Sequence, residues 1–320
     1  MTSPNPTPPA DVPGICYYHP PLTAMLHARD GKVQIAYGDL VVPLLEDDYA
    51  ALDGGEPSYD AVGRGVYHLL RLNPDLPLAG RYASLLKEAY PHLLAELATH
   101  LVMLDKKDVD LPYLDRKINY LKIFALLEPD NHRFPLEIGV TFVEKGLTLA
   151  AMGNTTILLY RAETYLRQAF SMNPDDVQVR HQLGEVCYLL GRYGEAAGLW
   201  EPILGQIPAE VSEKLSRRID QIRTGNLPLV PPVDFLQAVG VALEAFEADD
   251  FEEASAIILD VIDALGQFDE FPLAEINYML GLCYVRLEIP RYAEQYLRSA
   301  LQLRPDFPEA EQELRLLGGV

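Results

Sequence analysis

The sequence predicts an all-α chain, a solenoid of stacked helical hairpins behind a short non-repeat N-terminal segment. Three observations carry that prediction. Residues 177–208 and 274–305 share their punctuation at a constant offset of 97 positions, with Leu183 and Leu280, Gly184 and Gly281, Ala196 and Ala293, and Pro208 and Pro305 in register. Ala150, Ala162, Leu166, Ala169 and Pro174 each stand 34 residues before Gly184, Ala196, Trp200, Ile203 and Pro208, which puts two units in phase over 143–210. An apolar helix ending in a Pro-Asp pair also recurs, at Pro74, Pro129, Pro174 and Pro305. Proline stops one helix, and the Asp is expected to cap the next.

The elements follow in order. Residues 1–14 hold five prolines and read as a disordered tail. In the non-repeat segment 15–42, the alternation Val33, Ile35, Tyr37 predicts a short strand, continued by Val41 and Val42 after Gly38-Asp39 as a hairpin. Residues 43–142 read as degenerate helical hairpins. Counting back from Pro74 aligns Tyr59 with Tyr193 and Phe251, which makes 43–76 a first unit. Over 77–130, Leu93, Leu97, Leu101 and Leu104, then Leu114, Ile118, Leu121 and Phe124, mark amphipathic helices whose register the sequence leaves open.

Residues 143–210 are the in-phase pair. Because 97 is not a multiple of 34, an insertion follows at 211–234. It opens as a helix with Val211, Leu215, Ile219 and Ile222 on one face and Lys214, Arg217, Arg218 and Arg223 elsewhere. Gly225 stops it, and a proline-rich connector follows. Two readings stay open: a spacer left by a repeat that lost its second helix, or a hinge whose basic helix either docks on an acidic face of the protein itself or presents a separate site for an acidic partner. Residues 235–320 supply two more units, with five extra residues at 269–273, and a closing helix over 309–317 with Glu311, Glu313 and Arg315 outward.

The residues Arg180-x2-Leu183-Gly184-x2-Cys187, Ala196-x3-Trp200 and Pro208, echoed by Asn277-x2-Leu280-Gly281-x2-Tyr284, Ala293-x3-Leu297 and Pro305, resemble the tetratricopeptide repeat family. The resemblance implies a protein–protein interaction adaptor with a concave groove lined by the first helix of each hairpin. Carried over, the family's groove positions fall on Gln178, His181, Glu185, Tyr188 and Leu189, and on Glu275, Tyr278, Leu282, Val285 and Arg286. Glu144, Leu147 and Ala151, then Val239, Leu243 and Phe246, complete the set. No repeat offers the Lys/Asn/Lys/Arg clamp of the chaperone-binding subgroup, which disfavours acidic C-terminal tails. The aromatic residues suit apolar anchors, and Glu144, Glu185 and Glu275 suit a basic peptide. Alternatives are a chaperone for an exported or assembling protein and a self-assembling homo-oligomeric scaffold.

Lys plus Arg total 26 against 47 acidic residues, and a net charge of −21 opposes nucleic acid and anionic lipid as partners. Cys16, Cys187 and Cys283 read as small hydrophobes in a reducing compartment. No basic and apolar leader opens the chain and no stretch suits a membrane span, so the expected location is the cytoplasm. Gly63-Arg64-Gly65 follows no clear strand, Cys16-x2-His19 lacks a second ligand pair, and the histidines are scattered. Neither catalysis nor a metal or cofactor is expected.

Overall fold

The computed structural model describes residues 12–27, 34–104, 111–228, 230–265 and 273–318. The chain divides into two compact units, 1–141 and 142–320. Residues 1–11 of the expected tail and 269–272 of the expected extra residues lie outside the described residues. Val12, placed in the tail by the sequence, is already part of the first unit's core.

In the first unit, β1 (Ile15–Tyr18) pairs antiparallel with β4 (Val42–Leu45), and β2 (Met25–His27) pairs antiparallel with β3 (Gln34–Ala36). The expected hairpin between the 33–37 strand and 41–42 is therefore not the one formed. The Tyr37 N–H donates to the Ala24 carbonyl, which extends the β2·β3 ladder, and the Leu40 N–H closes a turn back onto the Tyr37 carbonyl. That turn sends Val42 to Tyr18 rather than to β3. Alternation marks a strand, but its partner is a long-range choice.

Helices α1 (Glu46–Ala50), α2 (Tyr59–Leu72), α3 (Ala79–Ala89), α4 (Pro91–Leu104) and α5 (Leu111–Leu127) follow. Over 43–76 the structure corrects the hairpin reading: β4 and the short α1 stand where a first helix was expected, and only α2 matches the second. Strand and helix come too close for a side chain between them, because a Cβ on Gly65 would lie 2.0 Å from the Pro43 carbonyl oxygen. Ser58 caps α2 by accepting from the Ala61 N–H, and Val62, Val66, Leu69 and Leu70 turn its buried face onto Leu44 and Leu86. The Tyr82 hydroxyl donates to the Val41 carbonyl at 2.6 Å, and the Tyr90 hydroxyl to the Tyr59 carbonyl at 2.6 Å. Each tyrosine thus buries its ring while satisfying its polar tip.

The division between units falls within α6 (Arg133–Gly146). The second unit continues with a 3-10 turn over Leu149–Asn154, then α7 (Thr155–Met172), α8 (Val177–Leu189) and α9 (Tyr193–Trp200). The structure corrects the first in-phase unit here. Its first helix ends at Gly146, where the Thr155 hydroxyl donates to the Gly146 carbonyl, so 147–154 is a link carrying the 3-10 turn and not α-helix. Its second helix keeps the predicted face, with Ala162, Leu166 and Ala169 fully buried.

The next unit is the cleanest. Asp176, not the Asp of the Pro-Asp pair, caps α8 by accepting from the Gln178 and Val179 N–H groups. Gly184 admits Trp200, and a Cβ there would lie 2.2 Å from the indole Nε1. That nitrogen donates to the His181 carbonyl. Helix α10 (Ala209–Thr224) packs on α9 and ends at Gly225, whose φ of +74° is the left-handed turn that only glycine adopts freely.

After the connector, α11 (Pro232–Glu247) packs against the 3-10 turn, α7 and α8. Gln237 and Thr156 share a hydrogen bond across that contact. Helices α12 (Phe251–Leu265), α13 (Leu273–Arg286) and α14 (Pro290–Leu303) complete the last two hairpins, and α15 (Pro308–Gly318) closes on α14. Ala293, Leu297, Ala300 and Ala310 are fully buried at these contacts.

Candidate interaction site

The groove positions on α8 do not form an open surface. Tyr188 is 2% exposed, packed edge-on to Tyr193 with ring centroids 5.3 Å apart, and lies 5.7 Å from Trp200. Arg218 of α10 covers it. Its guanidinium carbon sits 4.4 Å from the Tyr188 ring centre, and its Nη1 donates to both Glu185 carboxylate oxygens at 2.7 Å. The sequence reading placed Arg218 off the apolar face of its helix; the structure buries it with Leu215 and Ile219. The signal was its place beside Ile219, at the edge of the apolar stripe, where a guanidinium can lie flat on rings.

His181 is half-buried, with Nε2 3.7 Å from Glu185 Oε1. Burial lowers its pKa, Glu185 opposes that, and Arg218 and Lys214 add to it. Gln178 is exposed at the start of α8. Glu144 lies in the last turn of α6, Leu147 beyond its end and Ala151 in the 3-10 turn, so that part of the expected groove is not presented by one helix. Tyr188 and Glu185 are therefore interior partners of α10, a correction that follows from the local supply of a neutralising arginine.

The positions on α11 and α13 come together. Val239, Leu243 and Phe246 from α11 face Glu275, Ile276, Tyr278, Met279 and Leu282 from α13 around a cavity of about 390 Å³. The period of 3.6 explains the set: Val239, Leu243 and Phe246 step by four and three, as do Glu275, Tyr278 and Leu282. Arg286, also assigned to the groove, is exposed in the last turn of α13 and does not line the cavity.

Five lining residues were not foreseen: Ile276 and Met279 on α13, and Arg304, Phe307 and Glu309, which lie at or beyond the end of the last hairpin. Phe307 stands 4.9 Å from the Tyr278 ring. Arg304 lies 3.5 Å over Phe307 and forms an ion pair with Glu275. A phenylalanine just after Pro305-Asp306 was the available signal, since a solvated link has no use for one.

Burial, and after it Glu313 and Glu309, raise the Tyr278 pKa, which keeps its phenol neutral. The cavity thus offers largely apolar walls, two rings tilted 48° to each other and one hydroxyl. Among the described residues no group of three His, Cys, Asp or Glu side chains could hold a metal ion. No helix among them is long and apolar enough to cross a membrane.

The basic-peptide expectation changes with this geometry. Of its three supporting carboxylates, Glu185 is neutralised by Arg218 and Glu275 by Arg304, while Glu144 stands on another helix.

Residues 274–307, which span α13 and α14, match the tetratricopeptide repeat model. A comparison with curated proteins returned no match. Among solved structures, the chain is similar to the TPR domain of P58(IPK), at 20% identity and a TM-score of 0.31, covering 69% of this chain. It spans 55% of the length of that domain. It is also similar to a tetratricopeptide repeat protein from Parabacteroides merdae, at 14% identity and a TM-score of 0.27, covering 85% of this chain and 96% of that one. MamA from Desulfovibrio magneticus matches at 14% identity and a TM-score of 0.27, covering 66% and 95%.

Proposed function

We propose that this chain, a tetratricopeptide-repeat protein, acts as a non-catalytic adaptor that takes a protein segment between α11 and α13. The observation that carries the reading is the cavity beside Phe246, Tyr278 and Leu282. At about 390 Å³ it lies within the range of ligand sites, roughly 300–1,000 Å³. Its walls are what an aliphatic or aromatic anchor side chain needs, and such anchors supply most of an interface's binding energy. The sister face on α8 is closed by Arg218, so recognition is assigned to the C-terminal pair of hairpins and not spread over the whole array.

The test is capture from native lysate with the full chain, comparing wild type with a Tyr278→Ala, Leu282→Ala variant. Proteins that the wild type holds and the variant loses are the expected result. Retention of the same proteins by both would overturn the assignment. A Gln178→Ala variant, altered on the closed face, is expected to capture what the wild type captures.

A further inference from the structure

Helix α15 lies beyond the matched repeat, yet it completes the cavity. Phe307, just before its first residue, packs against Tyr278, and Glu309 in its first turn forms part of the wall. Glu313 follows one turn later, so both carboxylates lie on the same side of the helix. Two neighbouring carboxylates have cationic partners: Glu275 has Arg304 and Glu311 has Arg315. Among the described residues no ion pair reaches Glu309 or Glu313. Both nonetheless act on the Tyr278 hydroxyl inside the site. Among the described residues that line the cavity the only cation, Arg304, is held over Phe307 and against Glu275.

We infer that α15 is the charge-reading wall of this site: its occupant is a protein segment that buries an apolar side chain between α11 and α13 and sets a Lys or Arg against Glu309 and Glu313. The inference rests on the groove reading proposed above and adds to it the sign of the partner's charge. It also gives the closing helix a second task. A helix that only shielded the end of the stack would need polarity; this one supplies uncompensated negative charge at the mouth of an apolar cavity. An ammonium or guanidinium placed there gains from both carboxylates, whereas an acidic segment is repelled.

The probe is a random-peptide phage library panned on three full-length proteins: wild type, Leu282→Arg, and the charge reversal Glu309→Lys, Glu313→Lys. Wild type is expected to enrich peptides that join an apolar residue to Lys or Arg. A synthetic peptide from that pool should bind the charge-reversed protein about tenfold more weakly, two exposed ion pairs being lost. Exchanging its basic residues for Glu should reverse the preference. Circular dichroism melts establish that the variants fold, and Glu309→Gln, Glu313→Gln gives the intermediate affinity without repulsion.

If wild type and charge-reversed protein select the same peptides with equal affinity, the role of α15 is overturned while the groove stands. If wild type enriches nothing over Leu282→Arg, the groove itself falls.

Discussion

Replacing Gly184 by Ala tests the packing logic of the repeat at its tightest point. Alanine has the better intrinsic helix propensity, by about 1 kcal/mol, so sequence-local reasoning predicts a gain. The structure predicts a loss. The added Cβ would lie 2.2 Å from Trp200 Nε1, 2.6 Å from Cδ1 and 2.8 Å from Cε2. Optimal contact is roughly 3.5–4.0 Å, so the indole or α8 must move by about 1.3 Å or more. Trp200 is fully buried and its Nε1 donates to the His181 carbonyl, so the ring cannot yield as a flexible chain end would.

Overpacking of this kind costs about 1–3 kcal/mol. Taking the upper part of that range and subtracting the propensity gain leaves a net loss of about 2 kcal/mol. For a unit of this size that is a fall in Tm of about 4–8 °C. Trp200 is the sole tryptophan in the chain, so fluorescence-detected unfolding in heat and urea reports from the contact itself. Two companions calibrate the result. At Gly281 the nearest atoms are the Leu297 side chain at 2.8 and 2.9 Å and its backbone N at 3.3 Å, so Gly281→Ala should cost less. At Gly198 nothing lies within 4 Å, so Gly198→Ala should stabilise by about 0.5–1 kcal/mol. If Gly184→Ala melts at or above the wild-type temperature, the assignment of this glycine as a helix contact is refuted.

Ala293→Glu would place a carboxylate without a partner at a fully buried site, at a cost of several kcal/mol; an unchanged melt and helical circular dichroism would contradict the register of the last hairpin. Arg218→Met leaves Glu185 partly buried with only His181 beside it, so a loss of about 2–3 kcal/mol is expected. In a double-mutant cycle with Glu185→Gln, the coupling should exceed roughly 1 kcal/mol, and its absence would mean that α10 is held by Leu215 and Ile219 alone. Burial pushes the Cys187 thiol up to about 12 and the Cys283 thiol up to about 11. Below those values the reactive thiolate is scarce and grows only as pH rises toward them. Iodoacetamide at pH 8 should therefore label half-buried Cys16 before either, and rapid labelling of Cys187 in the native protein would contradict the packing of α8. Gly65→Ala, whose Cβ would meet the Pro43 carbonyl at 2.0 Å, should lower the melting temperature, with loss of the β4·α2 contact visible by hydrogen exchange.

Residue spacing alone located the helical hairpins of 177–208 and 274–305, because helix contacts demand a small residue on one helix and bulk or another small residue on its partner. Gly184 with Trp200 and Gly281 with Leu297 are those contacts in the structure. The groove positions implied by the family resemblance include Phe246, Glu275, Tyr278 and Leu282, which line one cavity, residues three and four apart sharing a helix face.

What spacing could not determine was set by contacts far apart in sequence. The strand over 34–36 pairs with 25–27 because the turn at 37–40 redirects the chain. Helix α6 ends at Gly146, whose carbonyl accepts from the Thr155 hydroxyl nine residues on. Tyr188 and Glu185 match groove positions in sequence, yet Arg218, 33 residues after Glu185, covers both. Arg304, Phe307 and Glu309 follow the last hairpin and still form its cavity wall. Local sequence determines which face of each helix is apolar. Which faces remain open is decided by the side chain that arrives opposite, and a buried guanidinium over two rings can close a groove that periodicity leaves open.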